Sequence, residues 1–422
     1  MRIVSAARPQ GAKPVIDTGI PARVRPDAFE GTVAAVRGAS GTSATPAFAR
    51  LHVPGAPADV LLPAVTSPYA TSPLQLYASR VERTNAFPEQ RAALRALGRV
   101  RTEWAPLEPP GERPRVAILI SEPQALLPGG YEPVARLADM LREQGCDPVL
   151  IPPMSDVLIG TDRAHVQATL TKLVEGLDGV VGPGGADVHP RLYGDAVTHA
   201  ITPNFPRDRF EAELATLAMR GDRFLLGICR SHQLWNAALG GKLVQDVRAD
   251  GLSVISQNQD DYGLEEHQPF VVRDAAGKVT FENRVHLTPD SQFAAIVGGA
   301  ESVLTNSYHH QAVGRPGQGL TVTGVVTDPE TQVETVESTE AWNVLTTQFH
   351  PELMMDADPR FAALTETVAR RAHVFRLEKR LAAEGKSSCA DLLAAMREAP
   401  EGRFLPTDFA WVEQALAPRQ NQ

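Results

Sequence analysis

Apolar positions follow two alternating periods along the middle of the chain. Apolar runs of strand length cover 116–120, 148–151, 178–181 and 224–228. Between them lie segments in which apolar residues recur every third or fourth position, which is typical of amphipathic helices; these cover 131–144, 166–175 and 207–220. This order of strands and helices predicts an α/β fold with a doubly wound, mainly parallel sheet.

The pattern changes after position 247. Short apolar runs then follow one another, which predicts added antiparallel strands at 270–272, 279–281, 285–287, 320–326 and 333–336. A last strand is predicted at 342–350. From position 359 the helical period returns, and it predicts a long helix followed by short helices near 390–397 and 408–416.

The first 112 residues differ in composition from the rest of the chain. They are rich in Ala, Pro, Ser, Thr and Arg, and their short apolar runs are interrupted by Pro and Gly. A helix is predicted over 88–97, and 40–46 and 66–73 resemble flexible linkers. We therefore divide the chain into a largely irregular N-terminal extension, a main domain and a helical C-terminal extension, at 1–112, 113–376 and 377–422.

Composition and charge narrow the class of protein. The 43% hydrophobic and 22% charged residues are ordinary for a soluble globular chain, and the net charge of -9 argues against nucleic acid as a partner. No apolar run approaches the roughly 20 residues needed to cross a bilayer, so no membrane partner is expected.

Cysteine usage and the N-terminus suggest a compartment. The three cysteines are far apart and form no Cys-x-x-Cys pair, which favours a reducing environment over a disulfide framework. The N-terminus lacks the apolar core of a signal peptide. A cytoplasmic location is the expectation, and export by a non-classical route stays open.

The stretch 223–247 carries the strongest candidate for chemistry. An apolar strand ends at a turn occupied by Cys229, and a helix-length segment follows directly. The unpaired N–H groups and the dipole at a helix N-terminus favour a thiolate at this position. Gly227, Cys229 and Ser231 have the spacing of a nucleophile elbow with cysteine as the attacking residue. A buried structural cysteine is the alternative.

Two more strand ends carry suitable residues. The predicted strand at 178–181 ends in a Gly-Pro-Gly-Gly turn, and no Gly-Lys-Ser/Thr follows, so a phosphate-binding loop is disfavoured. His350 is presented at the end of the last predicted strand, because Pro351 prevents the strand from continuing. Sites in doubly wound sheets lie beyond the carboxyl ends of the strands, so the turn and Cys229 are predicted to share one site.

Metal-binding interpretations of the histidines are disfavoured. A zinc deaminase would need a Pro-Cys-x-x-Cys partner for His350 and Glu352, and the sequence has none. His309 and His310 are interpreted as neighbours on a strand that point to opposite faces, so one shared metal is not expected. Hydrogen-bonded core histidines are the alternative. No metal and no organic cofactor is predicted.

Several motifs occur in an order that resembles the class I glutamine amidotransferase-like hydrolases. The resemblance is greatest to the peptidase C26 branch, which includes gamma-glutamyl-gamma-aminobutyrate hydrolase. The motifs are GVVGPGGADVHPRLYGD (179–195), GICRSHQ with NAALGGKLVQDV (227–247), NSYHHQAV (306–313), VETVE (333–337) and TQFHPE (347–352). One departure is Ser231, where the family pattern favours Gly; if the backbone of the elbow is crowded, the serine is expected to move the turn slightly and to alter rate or substrate fit.

The resemblance implies a role for each position. Cys229 would be the nucleophile, His350 the general base and acid, and Glu352 the residue that holds the imidazole tautomer. The backbone N–H near Gly185 and that of Arg230 would form an oxyanion hole. The residues implied to surround the substrate's glutamyl group are Gln233, Asn306, Ser307, His309 and His310.

The function that follows from the resemblance is a cysteine hydrolase of gamma-glutamyl amide bonds, which releases glutamate through a glutamyl thioester. Small-molecule substrates such as gamma-glutamyl-aminobutyrate or a gamma-glutamyl polyamine are expected. The alternatives are the ammonia-donating glutaminase subunit of an amidotransferase, and a delivered or binding protein that reuses the fold. A homodimer and a protein partner at the N-terminal extension also stay open.

Overall fold

The computed structural model describes the chain in stretches separated by gaps. These stretches are 48–64, 72–84, 88–109, 111–120, 123–128, 130, 132–154, 163–201, 203–247, 283–326, 332–338 and 343–416. The predicted linker at 40–46 and the predicted strands at 270–272 and 279–281 lie outside these residues.

The described strands coincide with the apolar runs of the main domain and add several elsewhere. They are β1 (Phe48–His52), β2 (Asp59–Pro63), β3 (Glu103–Pro106), β4 (Arg115–Leu119), β5 (Asp147–Ile151), β6 (Gly179–Gly182), β7 (Phe224–Ile228), β8 (Lys242–Val244), β9 (Asn283–Leu287), β10 (Ser302–Thr305), β11 (Ala312–Arg315), β12 (Leu320–Val326), β13 (Gln332–Ser338) and β14 (Val344–Thr347).

The described helices follow the three-to-four period of the sequence. They are α1 (Pro73–Thr84), α2 (Pro88–Leu97), α3 (Glu132–Glu143), α4 (Arg163–Glu175), α5 (Phe205–Arg220), α6 (Arg230–Ala238), α7 (Gln292–Ile296), α8 (Ala362–Ala383), α9 (Cys389–Arg397) and α10 (Pro406–Leu416). None of these helices is both long enough and apolar enough to cross a membrane.

One sheet contains all the described strands. Its order is β10-β9-β12-β13-β14-β7-β6-β4-β5-β2-β1-β3, with β11 joining β13 to β8. Six neighbours, from β14 through β7, β6, β4 and β5 to β2, are parallel, and antiparallel strands flank them on both sides. Helices α3 and α8 pack together, and so do α4, α5 and α6. The prediction of a doubly wound, mainly parallel sheet with added antiparallel strands is confirmed.

Residues 48–106 differ from the predicted irregular extension. β1 lies between β2 and β3 in antiparallel pairing, and β2 pairs in parallel with β5. The Arg50 guanidinium donates to both carboxylate oxygens of Asp147, each at 2.7 Å, and to Asp59 at 2.7 Å. These strands could not be predicted from the sequence, because their partner strand β5 is distant along the chain. In addition, the Pro- and Gly-rich segments that flank them resemble loops. Helix α2 does match the predicted helix.

The C-terminal region is helical, as predicted. Helices α9 and α10 pack against the end of α8 and form a small apolar cluster of their own, which contains Val374, Leu381, Leu392, Met396 and Val412. The Arg371 guanidinium of α8 lies 3.3 Å from the Asp408 carboxylate and 3.9 Å from the ring centre of Trp411. A buried cation held by a carboxylate and a ring face fastens α10 to α8.

Candidate functional site

Three neighbouring parallel strands end at the same side of the sheet. β6 ends at the Gly-Pro-Gly-Gly turn, β7 ends at Cys229, and β14 is followed by Gln348, Phe349 and His350. β7 lies between the other two. Parallel strands bring their carboxyl ends together, so three segments that are far apart in sequence form one site.

Cys229 occupies a sharp turn between β7 and α6. Its backbone has φ 48° and ψ -102°, a conformation that residues other than glycine rarely adopt. Its N–H donates to the carbonyl oxygen of Thr347 at 2.7 Å, which ties the turn to the end of β14. The turn is tight: a Cβ at Gly227 would lie 2.7 Å from the Trp235 ring. Cys229 is 6% exposed, and its backbone geometry is that of an elbow that feeds directly into a helix.

His350 and Glu352 form a close pair beside this turn. His350 Nδ1 lies 2.8 Å from Glu352 Oε1, and His350 is also hydrogen-bonded to Cys229. Burial disfavours the charged imidazole, but the Glu352 carboxylate and the Cys229 sulfur raise the pKa of His350 well above its usual value. The imidazole can therefore hold a proton between a carboxylate and a sulfur.

The Gly-Pro-Gly-Gly turn approaches the same pair closely. A Cβ at Gly184 would lie 2.6 Å from His350 Cε1 and 3.5 Å from Cys229 Cβ. A side chain at this position would collide with the imidazole, which is why glycine is required here. Gly185 follows immediately, so the predicted oxyanion-hole turn does lie beside Cys229.

Asn306 holds the backbone of His350. Its Oδ1 accepts the His350 N–H at 2.8 Å, and its Nδ2 donates to the His350 carbonyl at 3.0 Å. Tyr308 approaches from the same segment, with its ring centre 5.7 Å from that of His350 in an edge-on arrangement. The segment 306–311 therefore positions the histidine. A substrate contact by Asn306 stays a prediction.

Gln233 lies one helical turn after Cys229 and is buried. Its Nε2 donates to the Gln311 carbonyl at 3.1 Å and to Gln348 Oε1 at 3.0 Å. Gln348 Nε2 in turn lies 3.6 Å from Cys229 Sγ. The side chain predicted to contact substrate is thus linked, through a second glutamine, to the sulfur.

Ser231 connects the start of α6 to the neighbouring turn. Its hydroxyl donates to the Pro183 carbonyl at 2.9 Å and so bridges α6 to the Gly-Pro-Gly-Gly turn. The fit is close, because a Cβ at Gly182 would lie 2.4 Å from Ser231 Oγ. The serine that departs from the family pattern thus forms a hydrogen bond between two parts of the site.

The side chain of Arg230 points away from the sulfur into a buried ion network on α5. It is paired with both Asp208 and Glu211. Asp208 also accepts the backbone N–H of His189 at 2.7 Å. One carboxylate therefore holds both the residue after Cys229 and the segment that follows Gly185, which fixes the two backbone stretches of the predicted oxyanion hole relative to each other.

His309 and His310 point in different directions, as predicted, although residues 306–311 lie between β10 and β11 rather than in a strand. His309 Nδ1 donates to the Gln311 carbonyl at 2.8 Å, and its Nε2 lies 3.7 Å from Glu334. His310 Nε2 is paired with Asp187 at 2.7 Å. Burial opposes the charge on His310, yet Asp187 raises the pKa of its imidazole. His310 thus ties the 306–311 segment to the loop after β6.

Ser307 is buried, and no hydrogen-bond partner of its hydroxyl occurs among the described residues.

Within the described part of the chain, no group of three or more His, Cys, Asp or Glu side chains is arranged to hold a metal ion.

Sequence reasoning missed Gln348 and Asp208. Gln348 stands inside the TQFHPE motif, two residues before His350, where strand alternation would have pointed it to the same side as the histidine. Asp208 precedes an apolar helix face and has the appearance of an ordinary first-turn acid. Only the first of these carried a signal that pattern reasoning could have used.

The chain is similar in sequence to several known proteins. The sequence profile of the family described as Peptidase C26 matches residues 134–352, from α3 to Glu352. YvdE of Lactococcus lactis, named as glutamine amidotransferase-like, is 31% identical over 183 residues, which span 43% of this chain and 69% of YvdE. Rv2859c of Mycobacterium tuberculosis, a candidate glutamine amidotransferase, is 31% identical over 246 residues, which span 58% of this chain and 69% of that protein.

Solved structures resemble the chain more distantly. The glutaminase domain of a Trypanosoma brucei CTPS with bound acivicin is 17% identical and has a TM-score of 0.39. The match covers 60% of this chain and 92% of that domain, and it is too weak to bear on the site.

Proposed function

Because this chain belongs to the peptidase C26 family of class I glutamine amidotransferase-like hydrolases, we propose that it cleaves gamma-glutamyl amide bonds and releases glutamate. The proposal assigns Cys229, His350 and Glu352 to a catalytic triad. The single observation that carries it is the contact of one imidazole with both the Cys229 sulfur and the Glu352 carboxylate, beside a strained turn.

In the first half of the reaction the Cys229 thiolate attacks the gamma-carbonyl carbon of the substrate. Negative charge develops on the carbonyl oxygen, and the backbone N–H groups of Gly185 and Arg230 stabilise it. The carbon–nitrogen bond then breaks, and His350 gives its proton to the departing amine. A glutamyl thioester on Cys229 remains.

In the second half a water molecule replaces the amine. His350, now neutral, accepts a proton from the water as it attacks the thioester carbon. The carbon–sulfur bond breaks, glutamate leaves, and the thiolate and imidazolium are restored. Glu352 keeps the imidazole oriented and stabilises its charged form throughout, which its 2.8 Å contact with Nδ1 supports.

The proposal is tested by measuring glutamate release from gamma-glutamyl-aminobutyrate, a gamma-glutamyl polyamine and glutamine. Wild type is compared with Cys229→Ser and with Cys389→Ser. Cys389 lies at the start of α9, outside the site, and provides the same substitution as a matched control. We expect turnover by wild type and by Cys389→Ser, and a loss of at least about a thousandfold in Cys229→Ser.

The outcomes separate the candidate functions. Turnover of the gamma-glutamyl amines with little on glutamine supports the proposal. The names of the relatives favour glutamine as the alternative substrate, and turnover of glutamine alone would replace the proposal with an ammonia-donating glutaminase. Full activity in Cys229→Ser would overturn the mechanism. No glutamate release from any of the three substrates would favour a binding protein that reuses the fold.

A further inference from the structure

The Cys229 sulfur has a second polar neighbour besides His350. The amide Nε2 of Gln348 lies 3.6 Å from Sγ, within the range of a hydrogen bond to sulfur. Gln348 is 0% exposed and follows β14 directly, where its own N–H donates to the Glu334 carbonyl at 2.8 Å. The side chain is therefore held between the sheet and the sulfur.

The orientation of this amide is determined by an atom that can only accept a hydrogen bond. The Gln311 carbonyl oxygen lies 3.1 Å from one end of the Gln233 amide, so that end is the NH2 group. The same NH2 group lies 3.0 Å from Gln348, which must present its oxygen there. The NH2 group of Gln348 consequently faces the sulfur.

Both N–H bonds of Gln233 are used in this arrangement. One points to the Gln311 carbonyl and the other to Gln348 Oε1, so Gln233 can meet a substrate only through its own oxygen. His309 Nδ1 donates to the same Gln311 carbonyl at 2.8 Å. Gln233 and His309, which the family resemblance implies to be substrate-binding, thus both contact the Gln311 carbonyl. This carbonyl fixes the amide of Gln233, which in turn orients Gln348.

We propose that Gln348 is a further catalytic residue, which donates a hydrogen bond to the Cys229 thiolate, and that Gln233 is the positioning residue that sets the direction of the donor. This inference rests on the proposed role of Cys229 as the nucleophile. A donor favours the charged form of the group that accepts from it. An amide suits the task because it carries no titratable proton and so does not compete with His350.

The test measures the reactivity of the sulfur itself, so it needs no knowledge of the substrate. The full-length protein is treated with iodoacetamide across a pH series, and alkylation of the Cys229 peptide is followed by mass spectrometry. In wild type we expect the reaction to persist well below the pH at which a free cysteine stops reacting. In Gln348→Leu the midpoint of the pH profile should rise by about one unit.

Two more variants and a matched control sharpen the result. Gln348→Glu keeps the size and the oxygen that faces Gln233 but replaces the donor with a carboxylate oxygen, so its midpoint should rise further. Gln233→Leu should shift the midpoint in the same direction but less, because Gln348 keeps its donor and loses only its orientation. Gln292→Leu is the matched control: Gln292 is a buried glutamine on α7, and its profile should coincide with that of wild type.

The result that overturns the inference is a wild-type midpoint in both Gln348 variants, with thermal unfolding showing that each is folded. That result would leave the nucleophile in place. The failure of the proposed function looks different: wild-type Cys229 would react no more readily than a free cysteine, and the inference would fall with it. If Gln348→Leu does not fold, Gln348→Met takes its place, because it removes the donor, keeps the length of the side chain and adds no charge beside the sulfur.

Discussion

Two buried histidine–glutamate pairs lie among the residues that the structure describes, and they have opposite character. His350 and Glu352 follow β14, and their side chains are 2.8 Å apart. His309 precedes β11 and Glu334 belongs to β13, and their side chains are 3.7 Å apart, beyond hydrogen-bond range. All four side chains are almost inaccessible to solvent. The same two residue types therefore meet in the same kind of environment with different geometry.

The charge on each pair differs accordingly. The Glu352 carboxylate and the Cys229 sulfur raise the pKa of His350 despite its burial. Burial lowers the pKa of His309 to about 4 and raises that of Glu334 to about 8. At neutral pH His350 thus favours its charged form, whereas the second pair holds an uncharged imidazole beside an uncharged carboxyl.

The difference shows that burial alone does not make a catalytic pair. Desolvation pushes both histidines towards the neutral form, and at His350 the Glu352 carboxylate at hydrogen-bond distance and the Cys229 sulfur reverse it. The uncharged pair has another use: His309 donates to the Gln311 carbonyl, the anchor of Gln233. One pair is suited to moving a proton, and the other to fixing side chains around it.

Replacing the two histidines should separate these uses most strongly. His350→Asn should lower hydrolysis by about a thousandfold or more while the protein stays folded, because the proton donor and acceptor is lost. His309→Asn should lower it by less than about tenfold, since His309 acts through its neighbours. The rate of glutamate release, measured beside the thermal unfolding midpoint, checks both. Equal losses would contradict the distinction.

Replacing the glutamates should produce a smaller difference of the same kind. Glu352→Gln should reduce kcat by about a hundredfold, because the neutral amide still orients the ring but no longer stabilises its charge. Its pH profile should also move, with the base limb shifted to lower pH as the pKa of His350 falls. Glu334→Gln should leave kcat within about threefold of wild type. A larger loss in Glu334→Gln than in Glu352→Gln would reverse the assignment.

Stability against pH provides the subtlest test. The pKa of Glu334 is raised in the folded state, from a usual 4.5 to about 8. Its contribution to stability is therefore present at pH 4.5 and is lost as the pH rises through 8. Glu334→Gln lacks this loss, so relative to wild type it should gain roughly 1–3 kcal/mol between pH 5 and pH 8. Unfolding in denaturant at the two pH values measures it, and parallel changes in both proteins would show that Glu334 is ionised when folded.

Much of the site could be predicted from the sequence because its residues follow strands. Cys229 and His350 each stand where an apolar run stops, and a doubly wound sheet collects such positions at one side. That rule needs only the order of elements along the chain. The shared site of the Gly-Pro-Gly-Gly turn and Cys229 follows from it, whereas the roles of His350 and Glu352 follow from the family resemblance.

What could not be predicted depends on contacts between distant segments. Asn306 clamps the backbone of His350, and Gln233 contacts the Gln311 carbonyl, because the segment 306–311 lies against both α6 and the end of β14. The pattern of apolar residues along the sequence does not indicate these contacts. Residue types suited to binding a substrate are equally suited to holding a neighbour, and distance alone distinguishes the two.

The pairing of β2 with β5 has a practical consequence for anyone who trims this chain. The boundary suggested by composition, near residue 112, removes β1, β2 and β3 together. A shortened protein would present β5 as an open edge of a parallel sheet, with unpaired N–H and C=O groups ready to recruit another molecule. Asp147 would also lose Arg50. Such a truncated protein should self-associate. Its altered behaviour would then result from the exposed edge of β5 and not from the loss of a separate N-terminal segment.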